Sequence, residues 1–280
     1  MHPKNPFKDR YDLQKIKAKY SALAEFIHIN KHGIETIDFS NSKAVLALNS
    51  GLFKTYFDTD WSIPKGQLCP PVPSRMDYLL YVNDLVGKEQ VNLLDVGCGA
   101  SLVYPIVATQ YLKWSVSASD IDASSLAHAE SIARDNDFDV DLRKQENSNH
   151  VFKGIINPDD KFDVSVCNPP FHKSQEEALK ANQRKNRNLK ISQTENFNFG
   201  GVSNELWYPG GEVAFIIKLI EESKEFRSQV KWFTTLVSRK DNLRPILRQL
   251  KKSKPRDFKV VEMTTGNKTS RFLAWTYQRV

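Results

Sequence analysis

The sequence contains no apolar run long enough to cross a membrane, and it has few cysteines. Nothing in its 280 residues approaches the roughly 20 consecutive apolar residues that span a bilayer. The opening residues carry charge but no apolar core, so a secretory signal is not expected. The three cysteines, Cys69, Cys98 and Cys167, are scattered and odd in number, which argues against a disulfide framework. We therefore expect a cytoplasmic protein that does not associate with membranes.

Metal-binding patterns and internal repeats are also missing from the sequence. No group of cysteines and histidines has the spacing of zinc ligands. His28 and His32 are four residues apart, but nothing nearby completes a site, and a solvated helix end explains the pair. Neither an internal repeat nor a long low-complexity tract is visible. We predict no metal, and a monomer.

The composition is that of an ordinary soluble protein with an excess of positive charge. Apolar residues make up 40% and charged residues 26% of the chain, and the net charge is +7. This balance favours a polyanionic partner without establishing one. Cations are dense between residues 173 and 190, where only two acids oppose them. A solvated flexible loop and a nucleic-acid contact both fit this segment: Lys173, Lys180, Arg184, Lys185, Arg187 and Lys190.

Two regions of different pattern are predicted along the chain. Residues 1–70 form an N-terminal extension, and residues 71–280 form a larger α/β unit. Within the extension, apolar residues between Leu13 and Ile27 recur at helical spacing. The prolines between residues 64 and 74 predict an extended connector. Ser74 is then predicted to cap a helix.

From residue 91 strands and helices alternate, which is typical of a parallel sheet with right-handed crossovers. The predicted fold is therefore an α/β, Rossmann-like sheet of seven mostly parallel strands with helices on both faces. Its ligands are expected at the carboxyl ends of the strands. Helices are predicted after Asp122, over 212–226 and over 242–251 with Asp241 as cap. The predicted strands are 91–96, 116–120, 140–143, 162–167 and 232–237, followed by an antiparallel pair, 259–263 and 271–276, joined at Gly266-Asn267.

The first strand ends in a glycine turn, Asp95-Val96-Gly97-Cys98-Gly99. Glycines let the backbone approach a ligand and adopt positive φ. A dinucleotide site would have a third glycine at position 102, which is leucine here. The pattern resembles motif I of the Rossmann-like methyltransferases, although any strand-turn-helix junction can look similar. Asp95 is predicted to hold either loop amides or the cationic amino group of S-adenosylmethionine.

The second strand ends in acidic residues, Asp120 and Asp122. A carboxylate offers two acceptor oxygens at the spacing of a ribose diol, and Asp120 sits at the strand end. We predict that Asp120 binds the cofactor's ribose and that Asp122 caps the following helix. The alternative is that both acids are caps or surface charges.

The fourth strand is followed by Asn168-Pro169-Pro170-Phe171. Two consecutive prolines make the backbone rigid and leave carbonyl oxygens without neighbouring amide donors. The Asn168 side-chain oxygen and a proline carbonyl can accept both N–H groups of an amine on an aromatic ring. Phe171 can stack on that ring. These residues predict methyl transfer to an exocyclic amine; the alternative is a plain proline turn.

The tetrapeptide resembles that of methyltransferases acting on adenine N6, cytosine N4, guanine N2 or glutamine N5. The whole chain resembles more narrowly the bacterial 23S ribosomal RNA adenine-N6 methyltransferase F family and its eukaryotic relatives. The matching pieces run nearly end to end: Pro6–Tyr11, Cys69–Arg75, motif I, Asn168–Phe171, Asn198–Gly201, Glu205–Trp207, Gly210–Val213 and Ser270–Thr276.

The resemblance implies S-adenosylmethionine as cofactor and RNA, with large-subunit ribosomal RNA favoured, as substrate. It implies that Arg75 lies near the methionine carboxylate and that Gly97 and Gly99 line the methionine. Asn147 is a weaker candidate for the cofactor's adenine edge. The extension and the basic segment are implied to contact RNA phosphates, with these candidates: Lys8, Arg10, Lys173, Arg184, Lys185 and Arg187.

Three functions remain open on sequence grounds. The first is adenine-N6 methylation of RNA. The second is methylation of another amine, either N5 of a protein glutamine or N2 of an RNA guanine; a glutamine methyltransferase does not need the basic arm and loop. The third is a non-catalytic RNA-binding module on a methyltransferase scaffold, which the intact Asp120 and Asn168 oppose.

Overall fold

A computed structural model describes residues 1–65, 67, 69–174, 176–177, 207–265 and 268–279. Its principal element is a seven-stranded sheet in the order β5-β4-β3-β6-β7-β9-β8. The first five strands in that order are parallel, and β9 pairs antiparallel with both β7 and β8. The strands are β3 (Asn92–Val96), β4 (Ser115–Asp120), β5 (Asp141–Lys144), β6 (Phe162–Cys167), β7 (Val230–Leu236), β8 (Asp257–Thr265) and β9 (Lys268–Thr276).

The predicted α/β fold is confirmed, and so is the seven-stranded sheet. The bounds of β6 agree residue for residue, because its apolar run is closed on one side by a lysine and on the other by Asn168 and the prolines. The final antiparallel pair is longer than predicted. The residues at the strand ends are mostly polar, so the apolar pattern in the sequence covered only the middle of each strand. The proposed turn at Gly266-Asn267 lies outside the described residues.

Each face of the sheet is covered by an apolar cluster, because alternate residues of a strand point to opposite sides. On β3, Leu93 belongs to one cluster and Leu94 to the other. On β9, Phe272 and Leu273 divide in the same way. The described helices are α1 (Leu13–Lys19), α2 (Ser42–Phe57), α3 (Val72–Val86), α4 (Val103–Ile106), α5 (Ala123–Asp135), α6 (Gly211–Ser223) and α7 (Leu243–Lys252).

The N-terminal residues pack into the same apolar cluster as the α/β unit. Phe7, Ile16 and Leu23 are buried in the cluster that also contains Met76 of α3. The buried Asp77 of α3 accepts hydrogen bonds from the His2 backbone N–H at 2.6 Å and from the Asn5 side chain at 3.0 Å. The functional division into 1–70 and 71–280 stays a prediction, but the two regions share one core.

Two features of the extension were not predicted. Residues between Leu13 and Ile27 form α1 and then a separate 3₁₀ turn, so the helical spacing covers two short elements. A hairpin of β1 (Ile27–Ile29) and β2 (Glu35–Ile37) follows. Three-residue strands give too few alternations for a period to be recognised.

Two predicted helix starts are wrong and one is confirmed. The helix α3 begins at Val72 with Pro73 in its first turn, so the connector ends earlier and Ser74 is not the cap. A first-turn proline costs little, because that N–H has no partner within the helix. The helix α7 begins after a 3₁₀ turn and Asp241 does not cap it. Asp122 does cap α5, accepting from the Ser125 N–H.

No described helix combines the length and apolarity that a membrane span requires. Over the same residues, no group of three or more His, Cys, Asp or Glu side chains is placed to hold a metal ion.

Candidate active site

A cavity of about 460 Å³ opens at the carboxyl ends of β3, β4 and β6. At this point the order of successive strands reverses, since β4 and β5 lie on one side of β3 and β6 lies on the other. Ligands bind at such a point in open α/β sheets. The cavity brings together six of the predicted site residues: Arg75, Gly97, Gly99, Asp120, Asn168 and Pro170.

The glycine turn after β3 leaves room for a ligand against the backbone. Gly97 and Gly99 have φ of 78° and 60°, values that other residues rarely adopt. A Cβ on Gly97 would meet no atom of the described residues within 4 Å. The N–H groups of Gly97 and Cys98 donate to the Ser119 carbonyl at 2.8 and 3.0 Å, which ties the turn to β4.

Asp120 supports this turn and also lines the cavity. One carboxylate oxygen accepts from the Gly99 N–H at 2.8 Å, and the other accepts from the Asp122 N–H at 2.9 Å. Burial raises the pKa of Asp120, while these two N–H groups oppose the rise. The carboxylate is therefore held rigidly at the strand end, where its remaining lone pairs are available to a diol.

Of the two roles predicted for Asp95, the loop-amide role is not seen in the structure. The amides of the turn bond to Ser119 and Asp120 instead. Both carboxylate oxygens of Asp95 are buried and have no hydrogen-bond partner within the described part of the chain. Burial raises the pKa of Asp95 well above its usual range, Asp120 adds to the rise and the Arg75 cation opposes it. A cationic group in the cavity would offset this electrostatic cost.

Arg75 connects the two halves of the site. Its Nη1 donates to the Tyr104 hydroxyl at 3.3 Å and to the Asn168 side-chain oxygen at 3.4 Å. The guanidinium lies over the Tyr104 ring, 5.8 Å from its centroid. Burial raises the pKa of Tyr104, so its hydroxyl stays neutral. Tyr104 is a contributor that sequence reasoning missed, since it lies in α4 without a recognisable motif.

The proline segment divides between the cavity and the protein interior. Asn168 and Pro170 line the cavity, whereas Pro169 is buried behind it. Phe171 is half-buried and is not among the lining residues. The chain turns away at the next residue, where the Tyr208 N–H donates to the His172 carbonyl at 3.0 Å. Stacking of Phe171 on a substrate ring stays a prediction.

Asn147 was predicted as a weaker candidate for the adenine edge of the cofactor, and that role stays a prediction. Its side-chain oxygen accepts from the Asn149 N–H at 2.9 Å and so holds a turn. The cavity wall is formed instead by Gln145, Ser148 and Asn149. A polar residue after a strand is as well suited to hold a turn as to bind a ligand, and local pattern does not separate the two.

Glu222 of α6 holds the loop that continues this wall. Its carboxylate accepts from the N–H groups of Val151, Phe152 and Lys153, at 2.7 Å for Val151 and 3.2 Å for Lys153, and from His150 Nδ1 at 3.1 Å. His150 and Val151 line the cavity. Glu222 is about 70 residues from these amides in sequence, so no local signal pointed to it.

Aromatic residues just before α6 and in its first half form another wall that was not predicted. Trp207, Tyr208 and Phe215 line the cavity. The rings of Tyr208 and Phe215 meet edge to face with centroids 5.2 Å apart. The Trp207 Nε1 is buried and has no hydrogen-bond partner among the described residues. Trp207 was noted only as part of a family pattern, and the wall adds apolar surface to which a planar ring can bind.

The predicted RNA-binding residues are only partly described. Lys8 and Arg10 are exposed and line a second cavity with His32 and Phe39. Lys173 is exposed next to α6, since a Cβ on Gly211 would lie 2.9 Å from its Cγ. Arg184, Lys185 and Arg187 lie outside the described residues.

The fold and this cavity together define a Rossmann-like class I methyltransferase. A family model for RNA methyltransferases matches residues 1–279. The ribosomal RNA large subunit methyltransferases F of Christiangramia forsetii and Pseudoalteromonas translucida are 45% and 42% identical to the chain; each match covers 99% of it, and 100% and 93% of the respective relative. The protein therefore belongs to the ribosomal RNA large subunit methyltransferase F family of RNA methyltransferases, as the sequence resemblance predicted.

Solved structures of one eukaryotic protein share the fold. The catalytic domain of hMettl16 in complex with the MAT2A 3′UTR hairpin 1 has a TM-score of 0.84 and 25% identity, covering 99% of this chain and 96% of that one. The N-terminal domain of human METTL16 in complex with SAH has a TM-score of 0.78 at 23% identity, covering 100% of this chain and 99% of that one.

Proposed function

We propose that the protein transfers the methyl group of S-adenosylmethionine to N6 of an adenine in large-subunit ribosomal RNA. The observation that carries this proposal is the position of Asn168, which follows β6 and lines the same cavity as the glycine turn of β3. Full-length similarity to relatives named for ribosomal RNA methylation supports the substrate. The acceptor oxygen of Asn168 supports an exocyclic amine as the group that is methylated.

The residues of the cavity fit the proposed cofactor. The open space at Gly97 accommodates a methionine chain against the backbone. Arg75 presents an N–H fork to a carboxylate. Asp95, whose oxygens have no hydrogen-bond partner among the described residues, presents a buried carboxyl group that an ammonium group would hold ionised. The held carboxylate of Asp120 suits a ribose diol. When bound, the cofactor supplies an electrophilic methyl group on a sulfonium.

Catalysis by this chain rests on acceptors and orientation. We propose that the Asn168 side-chain oxygen and a proline carbonyl of the same segment accept the two N–H groups of adenine N6. Accepting both draws the nitrogen lone pair out of conjugation with the ring and directs it into the cavity. Correct placement of two reactants lowers a barrier by several kcal/mol, roughly 7–11 in favourable cases, without a covalent intermediate.

Access of the base to Asn168 requires that it leave its stack, as for other enzymes that modify bases. Pro170 and the aromatic wall of Trp207 and Tyr208 offer apolar surface beside Asn168. Lys8, Arg10 and Lys173 are proposed to contact phosphates, which positions an RNA without reading its sequence.

The experiment is in vitro methylation followed by nucleoside analysis. Ribosomal RNA from a strain that lacks the gene is incubated with the purified protein and isotopically labelled S-adenosylmethionine, digested and analysed by mass spectrometry. Label in N6-methyladenosine from one large-subunit position is expected. Label in N2-methylguanosine would show that the target base is a guanine and not an adenine. Label only in N5-methylglutamine of an added protein extract would overturn the RNA substrate.

A further inference from the structure

A second basic surface covers α7 and the turns on either side of it. All its cations are exposed, and the only acid in this segment is Asp241. The segment therefore carries +7, which equals the net charge of the whole 280-residue chain. The remaining residues sum to zero net charge, although residues 173–190 also carry an excess of cations. The eight cations are Arg239, Lys240, Arg244, Arg248, Lys251, Lys252, Lys254 and Arg256.

The amphipathic pattern of α7 orients these cations outward. Ile246 and Leu250 are fully buried in one of the two apolar clusters beside the sheet. Arg244, Arg248 and Lys251 follow one another at intervals of four and three residues and lie on the opposite face. At about 1.5 Å per residue, neighbouring charges in this row are about 4.5–6 Å apart along the axis.

Among the described residues, carboxylates do not neutralise this row of cations. Across the described ranges, the one ion pair in this segment joins Arg239 to Asp241 at 3.9 Å. The nearby Glu221 accepts from the Gln249 side chain at 2.9 Å instead. Like charges on one helix face repel one another and lower stability slightly. A partner that brings many negative charges would remove this repulsion.

The surface begins close to the candidate active site. Lys173, five residues after Asn168, lies beside Gly211 at the start of α6. The next residue, Glu212, accepts from the Ser238 N–H at 2.7 Å and from the Asn242 side chain at 2.5 Å. These two bonds fix the start of α7 beside the start of α6, so a ligand that enters the cavity near Lys173 can continue along α7.

The residue types of this segment indicate which class of partner it binds. A membrane-surface helix needs a free apolar face, whereas that of α7 is buried in the core. Protein interfaces are rich in aromatic residues, and single-stranded RNA is held by stacking on them. Residues 239–256 contain no aromatic residue. Double-stranded RNA, by contrast, is recognised largely through its phosphates and shape.

We infer that this α7 basic surface binds the phosphate backbone of a double-helical arm of the RNA substrate, outside the catalytic cavity. The inference rests on the proposed function for the identity of the RNA. It assigns a docking role to residues of α7 that do not contact the reacting atoms. Binding there would place the unpaired target base at the cavity while the arm extends along α7.

The test uses the full chain and a fluorescent 20-base-pair RNA duplex of arbitrary sequence without unpaired bases, measured by anisotropy. The variant is Arg244→Glu with Arg248→Glu. The matched control is Lys113→Glu with Arg134→Glu, which makes the same change in net charge in the other half of the sheet. Arg244→Gln with Arg248→Gln is the milder variant to use if charge reversal impairs folding.

The α7 variant is expected to weaken duplex binding at least tenfold, while the control stays within about twofold. The slope of log affinity against log salt should become shallower by about 0.7–0.9 for each phosphate that the variant no longer neutralises. Cofactor affinity should not change. With deproteinised large-subunit ribosomal RNA, the KM for RNA should rise while kcat stays constant.

Duplex binding does not depend on methylation, so the two proposals fail separately. If the α7 variant binds the duplex as the control does, the inference is overturned and the proposed function is unaffected. Displacement of the duplex by polyglutamate at equal charge would assign the surface to acidic protein and also overturn it. If the α7 variant weakens duplex binding as expected but the unmodified protein methylates no RNA, the proposed function fails and the inference about the α7 basic surface is unaffected.

Discussion

The Arg75 Nη1 lies 3.4 Å from the Asn168 side-chain oxygen, so the cation proposed for the cofactor's carboxylate touches the oxygen proposed for the target amine. The Arg75 guanidinium therefore lies between the proposed cofactor side and the proposed substrate side of the cavity. A carboxylate that accepts the Arg75 fork competes with Asn168 for the same N–H groups. Binding of the cofactor would thus release the Asn168 oxygen for the amine.

Arg75→Lys is predicted to raise the dissociation constant for the cofactor at least tenfold, about 1.4 kcal/mol. Lysine keeps the charge but cannot donate two parallel hydrogen bonds to a carboxylate. Calorimetry with S-adenosylhomocysteine measures the effect. Tyr104→Phe is the control, because it removes the other acceptor of Nη1 and leaves Asn168 in place; a change of threefold or less is expected. An unchanged affinity in Arg75→Lys would show that Arg75 does not bind the carboxylate of the cofactor.

Asn168→Ala is predicted to abolish methyl transfer while cofactor affinity stays within several-fold. The variant loses the acceptor for one N–H of the amine, but the glycine turn and Asp120 remain. Single-turnover transfer to ribosomal RNA measures the first effect, and calorimetry the second. Asn149→Ala is a suitable comparison, since Asn149 lines another part of the same cavity. Turnover retained in Asn168→Ala would contradict the mechanism.

The sequence predicted the residues whose role follows from their place at a strand end. Asp120 ends one parallel strand and Asn168 follows another, and the carboxyl ends of such strands meet at one edge of the sheet. Glu222 and Tyr104 were missed because their roles depend on interactions with residues distant in the chain. Local patterns carry periodicity and turn chemistry but not the pairing of one helix with a remote loop.

Asp95→Asn is predicted to stabilise the protein while weakening the binding of the cofactor. Burial raises the folded-state pKa of Asp95 above its unfolded value of about 4. The folded state therefore binds the proton more tightly, and the ionised carboxylate destabilises the fold increasingly as pH rises between those two values. Asparagine removes this penalty, so the variant's gain in Tm should be small near pH 4 and larger at neutral pH.

Thermal unfolding across pH measures that gain, and calorimetry is expected to show a cofactor dissociation constant at least tenfold higher. Asp139→Asn serves as the control, because Asp139 is exposed and remote from the cavity. A variant whose Tm falls at neutral pH would show that Asp95 is partnered in solution.

Glu222→Ala is predicted to lower the free energy of unfolding by about 3 kcal/mol, since it leaves several buried N–H groups without an acceptor. Cofactor binding should also weaken, because the loop that Glu222 holds lines the cavity. Urea unfolding measures the first effect. Glu222→Gln retains one acceptor oxygen and should lose about 1 kcal/mol. Glu221→Ala, an exposed neighbour bonded to Gln249, should change stability by less than about 0.5 kcal/mol.

Charge reversal at Lys8 and Arg10 tests the predicted RNA contact of the extension more cleanly than deletion. Removing residues 1–40 would expose the cluster that contains Phe7 and Ile16, so weaker RNA binding could arise from misfolding alone. Both cations are exposed beside the second cavity. Their reversal should raise the KM for RNA severalfold and reduce its salt dependence, because each neutralised phosphate releases a counterion.

Rates of ribosomal RNA methylation at several salt concentrations measure this effect, with melting temperature as the check on folding. The doubly reversed Lys113 and Arg134 variant again matches the change in net charge. If both variants raise the KM equally, the effect is long-range electrostatics and not a contact of the extension. If only Lys8 and Arg10 matter, the RNA touches the extension and the cavity at once. Binding along α7 would then add a third contact with the RNA. Two contacts leave a folded RNA free to rotate about the line that joins them, whereas three fix its orientation.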